Sequence, residues 1–153
     1  IANRGHYYTP HIVKDIEGND AIDHKYYEKH VTSVDSSYYK YIINGMDLAV
    51  NAPAGSGSTA RIAAIPDVVV CGKTGTSQNP HGEDHSVFFA FAPKDDPKIA
   101  IAVYVENAGF GATWAAPIAS LMIEKYLKDS ISRPYLEEYL LKANLLDRRA
   151  KRK

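Results

Sequence analysis

Cys71 is the only thiol among the 153 residues of this sequence. One cysteine excludes an internal disulfide framework and leaves the redox compartment open. Net charge is missing as well, with 18 Lys and Arg against 18 Asp and Glu. That balance gives no electrostatic ground for nucleic acid or an anionic membrane as a partner. No apolar run approaches the roughly 18 residues of a membrane-crossing helix, and neither a signal peptide nor an internal repeat is visible. Methionine is absent from position 1, where Ile1 already stands in what reads as folded sequence. A piece of a longer protein is therefore expected, so missing targeting segments carry no weight.

What is present is ordinary for a globular chain: 45% hydrophobic and 24% charged residues. At this size a compact chain buries about 68–70% of its unfolded surface, enough for a real core. The eleven tyrosines and Trp114 read as core and interface filler rather than a base-stacking platform.

Along the chain, Ala2-Asn3-Arg4-Gly5 reads as the end of an element, with Gly5 in a turn. A short strand is expected after Pro10, within residues 7–16, before Glu17-Gly18-Asn19-Asp20 breaks it. Residues 21–35 read as loop with room for one short strand. Tyr39, Ile42, Ile43, Met46, Ala49 and Val50 recur at helical spacing. Asp35, Ser36 or Ser37 can cap that helix, and it ends before Pro53 in a glycine-serine loop. Three strands come next, over residues 67–77, 86–92 and 98–106, with links short enough for an antiparallel meander. The nearly continuous apolar third strand predicts a central position covered on both faces. A helix over 114–128 carries Ile118, Leu121, Met122, Ile123, Tyr126 and Leu127 and is expected to be buried over most of its surface. Pro134 at a first helical position signals a last helix, and Arg148 to Lys153 form a basic tail that reads as solvated. The fold class is α/β of the α+β type, an antiparallel sheet packed by helices.

The stretch that organises the chain is Cys71-Gly72-Lys73-Thr74-Gly75-Thr76-Ser77. A strand carrying a lysine, two hydroxyls and a glycine is poor core material and good material for holding a carboxylate. Strict alternation puts Lys73 on one face and Thr74 with Thr76 on the other. All three serve one site only if the strand is an accessible, twisted edge. Without a ligand, the same residues make a polar edge that resists aggregation.

Lys73-Thr74-Gly75-Thr76, with Gly72 before it, resembles the Lys-Thr-Gly box of the penicillin-recognising serine enzymes. The likeness continues through His85 to Pro93, Pro97 to Val103, Val105 to Gly109 and Ala115-Ala116-Pro117. Ala2-Asn3-Arg4-Gly5 and Thr9-Pro10 extend it toward the start. Over about residues 1–128 the sequence is similar to the C-terminal part of the transpeptidase domain of class B penicillin-binding proteins, penicillin-binding protein 2 among them. The resemblance implies a penicillin-binding-protein/β-lactamase-like fold, with residues 1–130 in the transpeptidase domain and 131–153 as C-terminal helix and tail. It implies that Lys73 supplies positive charge near a serine nucleophile, and that Thr74 and Thr76 offer hydroxyls to the substrate carboxylate. The Thr76 N–H would form half of an oxyanion hole, and Gly75 and Gly72 would let a peptide or β-lactam approach. The implied partners are the D-Ala-D-Ala end of a peptidoglycan stem peptide, β-lactams, and the remainder of the domain upstream of Ile1. No cofactor or metal is implied. The parent would sit at the periplasmic face of the inner membrane, anchored there, with this piece soluble.

The family also needs a Ser-x-x-Lys box and a Ser-x-Asn box. Ser37-Tyr38-Tyr39-Lys40 and Ser77-Gln78-Asn79 fit those patterns, but Ser37 reads as a helix cap and Ser77 adjoins the lysine box itself. Both read as chance matches, which places the nucleophile upstream and leaves this piece inactive alone. His81, Glu83, Asp84 and His85 could ligate a metal but read better as a polar loop. Cys71 shares the Lys73 face, where a lowered thiol pKa is conceivable and a small packed residue is favoured. A β-lactamase, a D,D-carboxypeptidase or a non-catalytic β-lactam sensor of the same fold are the alternatives.

Overall fold

A computed structural model describes residues 1–13 and 23–145. The later part of the strand expected after Pro10 and the basic tail lie outside the described residues. Contacts divide the chain into Ile1–Ile43 and Asn44–Lys153, each with its own internal packing.

In the first unit β1 (His6–Tyr8) pairs antiparallel with β2 (Lys29–Val31), Tyr7 opposite His30. The described strand precedes Pro10, and residues 11–13 after it carry no strand. Proline has no N–H for a ladder, whereas the Tyr7 and His30 rings stack across the strands at 5.1 Å. Thr32 then ties the unit together: its N–H donates to the Gly5 carbonyl at 2.9 Å, and its hydroxyl shares a 2.8 Å bond with the Tyr39 hydroxyl. The next turn is capped by Asp35, not Ser37; the Asp35 carboxylate accepts the Ser37 N–H at 2.8 Å. Ser37 is itself inside the capped 3-10 turn, Ser36–Tyr38. Helix α1 (Tyr39–Asn51) continues from that turn and runs on into the second unit. Tyr39, Ile43, Met46 and Val50 are buried, while Ile42 is 48% exposed, so the apolar stripe is narrower than the sequence periodicity predicts.

The second unit is built on β3 (Cys71–Ser77), β4 (His85–Ala92) and β5 (Ile99–Val105), an antiparallel meander in the order β3-β4-β5. β3 begins at Cys71 rather than Asp67. Asp67 sits at φ 62°, inside a tight turn closed by the Val68 N–H on the Ile65 carbonyl. The Val70 carbonyl is taken at 2.8 Å by the Asn51 side-chain amide of α1, so it is lost to a ladder. β5 is not central: β4 is, and β5 has no partner on its outer side among the described residues. Ile99, Ile101, Val103 and Val105 are half-buried, whereas Ala100, Ala102 and Tyr104 are exposed. The continuous apolar sequence of β5 thus reflects small and amphipathic residues on an open face, not cover on both sides.

Helix α2 (Ala115–Lys128) packs on one face of β4 and β5. Its buried surface is Ala115, Ala116, Ala119, Ser120, Leu121 and Ile123, while Met122 and Tyr126 are 54% and 64% exposed. Small residues let the helix approach the sheet closely; of the long side chains expected in the core, Leu121 and Ile123 are buried and Ile118 and Leu127 half-buried, whereas Met122 and Tyr126 point away. A fully buried Glu124 also lies on that inner surface. Arg133, just before α3 (Pro134–Leu141), meets it with Nε and Nη2 at 3.1 and 3.0 Å. The Arg133 Nη1 donates to the Ala64 and Ile62 carbonyls and to the Ser120 hydroxyl. The Ser132 N–H and hydroxyl donate to the other Glu124 oxygen. Periodicity predicts neither group inside, because a charge is buried only when a tertiary partner satisfies it. Burial raises the Glu124 carboxyl, but the bonds from Ser132 and Arg133 and the guanidinium charge outweigh it and hold the group below its ordinary range.

Truncating Arg133 to Ala leaves a buried carboxylate uncompensated and is expected to cost roughly 3–5 kcal/mol. The double change Glu124→Leu/Arg133→Met should cost much less, as read from denaturant midpoints. Because the folded Glu124 pKa is depressed, its stabilisation is present above the unfolded value of about 4.3 and disappears as pH falls through the lower folded value. Melting temperature against pH should therefore flatten on the acid side in Glu124→Gln. A Cβ on Gly72 would lie 2.3 Å from the Phe88 ring, whereas one on Gly75 would meet Val87 at 3.4 Å. Gly72→Ala is expected to lose roughly 1–3 kcal/mol and Gly75→Ala to remain folded, by thermal denaturation. The open β5 edge predicts self-association of the 153-residue piece; light scattering that shows a monomer at high concentration would contradict this.

Candidate active site

Paired residues in an antiparallel sheet share a face. Lys73 lies opposite Phe89 and Cys71 opposite Phe91, while Thr74 lies opposite Phe88 and Thr76 opposite Ser86. Phe88 and Ser86 are fully buried on the side that meets α2, so both threonines are on the helix side and Lys73 is on the other. The alternation expected from the sequence is therefore present, and β3 is an edge strand. β3 pairs only with β4 among the described residues, which leaves its outer edge open. Every second residue of an edge strand turns its N–H and C=O outward. A ligand lying along this edge can meet outward amides, the lysine from one face and the threonine hydroxyls from the other.

Lys73 is exposed, and its ammonium donates to the Thr74 carbonyl at 2.8 Å. Among the described ion pairs none involves Lys73, so its charge can be offered to an anion. Thr76 is exposed, and Thr74 and Gly75 are half-buried. Gly72 is buried, and the Phe88 ring fills the space that a side chain there would need. Cys71 is buried in the same row as Lys73, opposite the buried Phe91.

Two features were not legible in the sequence. The Thr74 hydroxyl donates to the Thr59 hydroxyl at 3.2 Å, bringing the loop after α1 to the strand. Thr59, with Leu48, Ala49, Ala52 and Ser58, also lines a shallow groove. The sequence reads this stretch as the end of a glycine-serine loop, with no signal for the contact. Second, Asn79 bonds to Asn107 across the loops that come after β3 and β5, at 2.8 Å. The sequence gives Asn79 no role beyond closing a chance Ser-x-Asn match. Asp84 and His85, weighed as metal ligands, are engaged in the same loop contacts: Asp84 accepts the Asn79 N–H, and His85 Nδ1 accepts the Asn107 N–H.

The family model for the penicillin binding protein transpeptidase domain matches residues 1–124. Peptidoglycan D,D-transpeptidase MrdA of Haemophilus influenzae is 33% identical over 91% of this chain and 23% of its own length. Peptidoglycan D,D-transpeptidase PbpA of Mycobacterium tuberculosis is 42% identical over 42% of this chain and 15% of its own. The chain thus spans less than a quarter of these curated relatives. Among solved structures, penicillin-binding protein 2 of Pseudomonas aeruginosa superposes with a TM-score of 0.69 at 32% identity, over 84% of this chain and 27% of that one. The penicillin G acyl-enzyme complex of penicillin-binding protein A from M. tuberculosis gives 0.60 at 28% identity, over 83% and 29%. The matched span and the superposed fold agree, and the chain belongs to the penicillin-binding protein transpeptidase domain family.

Proposed function

We propose that this chain is the C-terminal part of a class B peptidoglycan D,D-transpeptidase of the penicillin-binding protein 2 type. Residues 1–130 belong to the transpeptidase domain and 131–153 add a helix and tail. The observation that carries the reading is Lys73-Thr74-Gly75-Thr76 on the open edge of β3, with charge and hydroxyls reaching that edge from opposite faces. In the proposed reaction a serine supplied by the rest of the domain attacks the carbonyl between the two D-alanines of a stem peptide. Its Oγ–C bond forms, the C–N bond breaks, and D-Ala leaves with the proton on its amine. An amine of a neighbouring stem then displaces the serine, completing an amide cross-link. Lys73 lowers the cost of negative charge at the nucleophile and binds the terminal carboxylate, to which Thr74 and Thr76 donate. The Thr76 N–H stabilises the oxyanion of the tetrahedral intermediate. Gly75 lets the substrate backbone lie along β3 as an added strand.

β-Lactams acylate the same serine. The acyl-enzyme complex of penicillin-binding protein A supports this, since it shows a similar chain acylated by penicillin G. We place the parent protein at the periplasmic face of the inner membrane. Among the described residues no helix is long and apolar enough to cross a membrane.

The test is covalent labelling by a fluorescent penicillin. The full-length protein is expected to take one label, Lys73→Ala to acylate about 10²-fold more slowly, and the isolated piece to take none. Labelling of the isolated piece at Ser37 would overturn the assignment of the nucleophile. Rapid release of hydrolysed penicillin would move the protein to the β-lactamase class.

A further inference from the structure

Beyond β3 and β5 the chain makes two loops, and a compact set of polar contacts joins them. The Asn79 side-chain amide donates to Asn107 Oδ1 at 2.8 Å and to the Glu83 carbonyl at 3.4 Å. Asn79 Oδ1 accepts the His81 N–H at 3.0 Å, and the Asn79 N–H is held by the Asp84 carboxylate at 3.2 Å. On the other side the Asn107 N–H donates to His85 Nδ1 at 3.0 Å, and the Gly109 N–H donates to the Asp84 carbonyl at 2.7 Å. The His85 ring packs on Tyr104 at 5.1 Å. Gly82 is the close-approach point, since a Cβ there would lie 2.5 Å from Asn107 Oδ1 and 3.1 Å from Asn79 Nδ2.

This set fixes more than two loops. Asn79 stands three residues after Thr76, so its anchoring determines how β3 leaves the sheet. Asn107 and Gly109 start the loop whose Gly111 lies against the Gly75–Val87 pair of β3 and β4. A Cβ on Gly111 would be 2.2 Å from the Val87 carbonyl oxygen, 2.7 Å from the Gly75 carbonyl oxygen and 3.2 Å from the Gly75 nitrogen. The same loop is pinned to β4, where the Ser86 hydroxyl donates to the Phe110 carbonyl and accepts the Ala115 N–H. β3 is thus held just past Thr76 by one loop, and the other lies against its Gly75 backbone.

We propose that Asn79 and Asn107 are positioning residues for acyl transfer, forming a latch that sets the place of the Gly75–Thr76 backbone. The inference rests on the function proposed above. The latch works through the Asn79 Nδ2–H on Asn107 Oδ1, so position 107 requires an acceptor rather than an amide as such. Aspartate provides that acceptor. Asn107 also has φ 53°, a left-handed conformation that glycine and aspartate both accommodate. Asn107→Gly therefore removes the acceptor without straining the backbone, and Asn107→Asp keeps it.

The experiment is stopped-flow acylation of the full-length protein by a fluorescent penicillin, separating the initial dissociation constant from the acylation rate. Asn107→Gly and Asn79→Ala are expected to slow acylation about tenfold or more while changing the dissociation constant less than about threefold, since displaced reacting groups cost rate before affinity. Asn107→Asp is expected to stay within about threefold of wild type. Gly82→Ala retains both asparagines but forces them apart and should behave like Asn107→Gly; it tests the latch independently if either asparagine variant fails to fold. An unchanged acylation rate in folded Asn107→Gly or Gly82→Ala overturns the latch, as does an Asn107→Asp variant as slow as Asn107→Gly. A wild-type protein that takes no label overturns the proposed function and the latch with it.

Discussion

The face of β4 that carries Ser86, Phe88 and Ala90 is buried under α2. With side chains alternating at a period of two, that burial decides where each group of β3 is directed. Thr74 and Thr76 must share the face of Phe88 and Ser86, and Lys73 must take the other. A slip of one residue would put the lysine ammonium against the alanine surface of α2, at a desolvation cost no local contact offsets. The fully buried Phe88 ring occupies the space a side chain at position 72 would need, which binds the register to a glycine just before the lysine. Register, burial and site chemistry are thus one constraint seen three ways.

Holding α2 and its neighbours in place falls partly to an ion pair with almost no contact with water. Arg133 and Glu124 join the start of α3, the middle of α2 and the segment at Ile62–Ala64 that leads toward β3. Desolvating two charges is costly, and the geometry offsets the cost by giving both carboxylate oxygens donors and the guanidinium several acceptors. Arg133 lies beyond the residues matched by the family model, yet it is bonded to residues well inside them. The residue that precedes α3 is therefore bonded to side chains and carbonyls inside the matched span.

The open side of β3 is organised differently. Strand pairing holds its inner edge, and the two loops at its far end are joined by amides rather than apolar packing. Polar contacts between loops fix distance and direction with little buried area and leave the outer edge of β3 without a strand partner among the described residues. Thr59 adds a third approach to the strand, through the Thr74 hydroxyl. The site is thus a fixed edge with polar supports on several sides and open space on one.

The sequence by itself determined the meander, the helix after it, the proline-started last helix and the Lys-Thr-Gly strand. These rest on local signals: β-branched runs, turn residues, helical spacing and a short motif. It also located the tension between Lys73 and the threonines, because alternation is a property of the strand alone. Only the tertiary structure decided that β4 rather than β5 is central, since apolar residues on an open face and on a covered face look alike in one dimension. It also decided that alanines rather than Met122 and Tyr126 face the sheet, that Glu124 is buried, and that Asn79 and Asn107 meet. Each of these depends on a partner distant in sequence, such as Arg133 for Glu124 or a second loop for Asn79. No spacing within the chain records such a pairing, because it is set by the distance between packed elements.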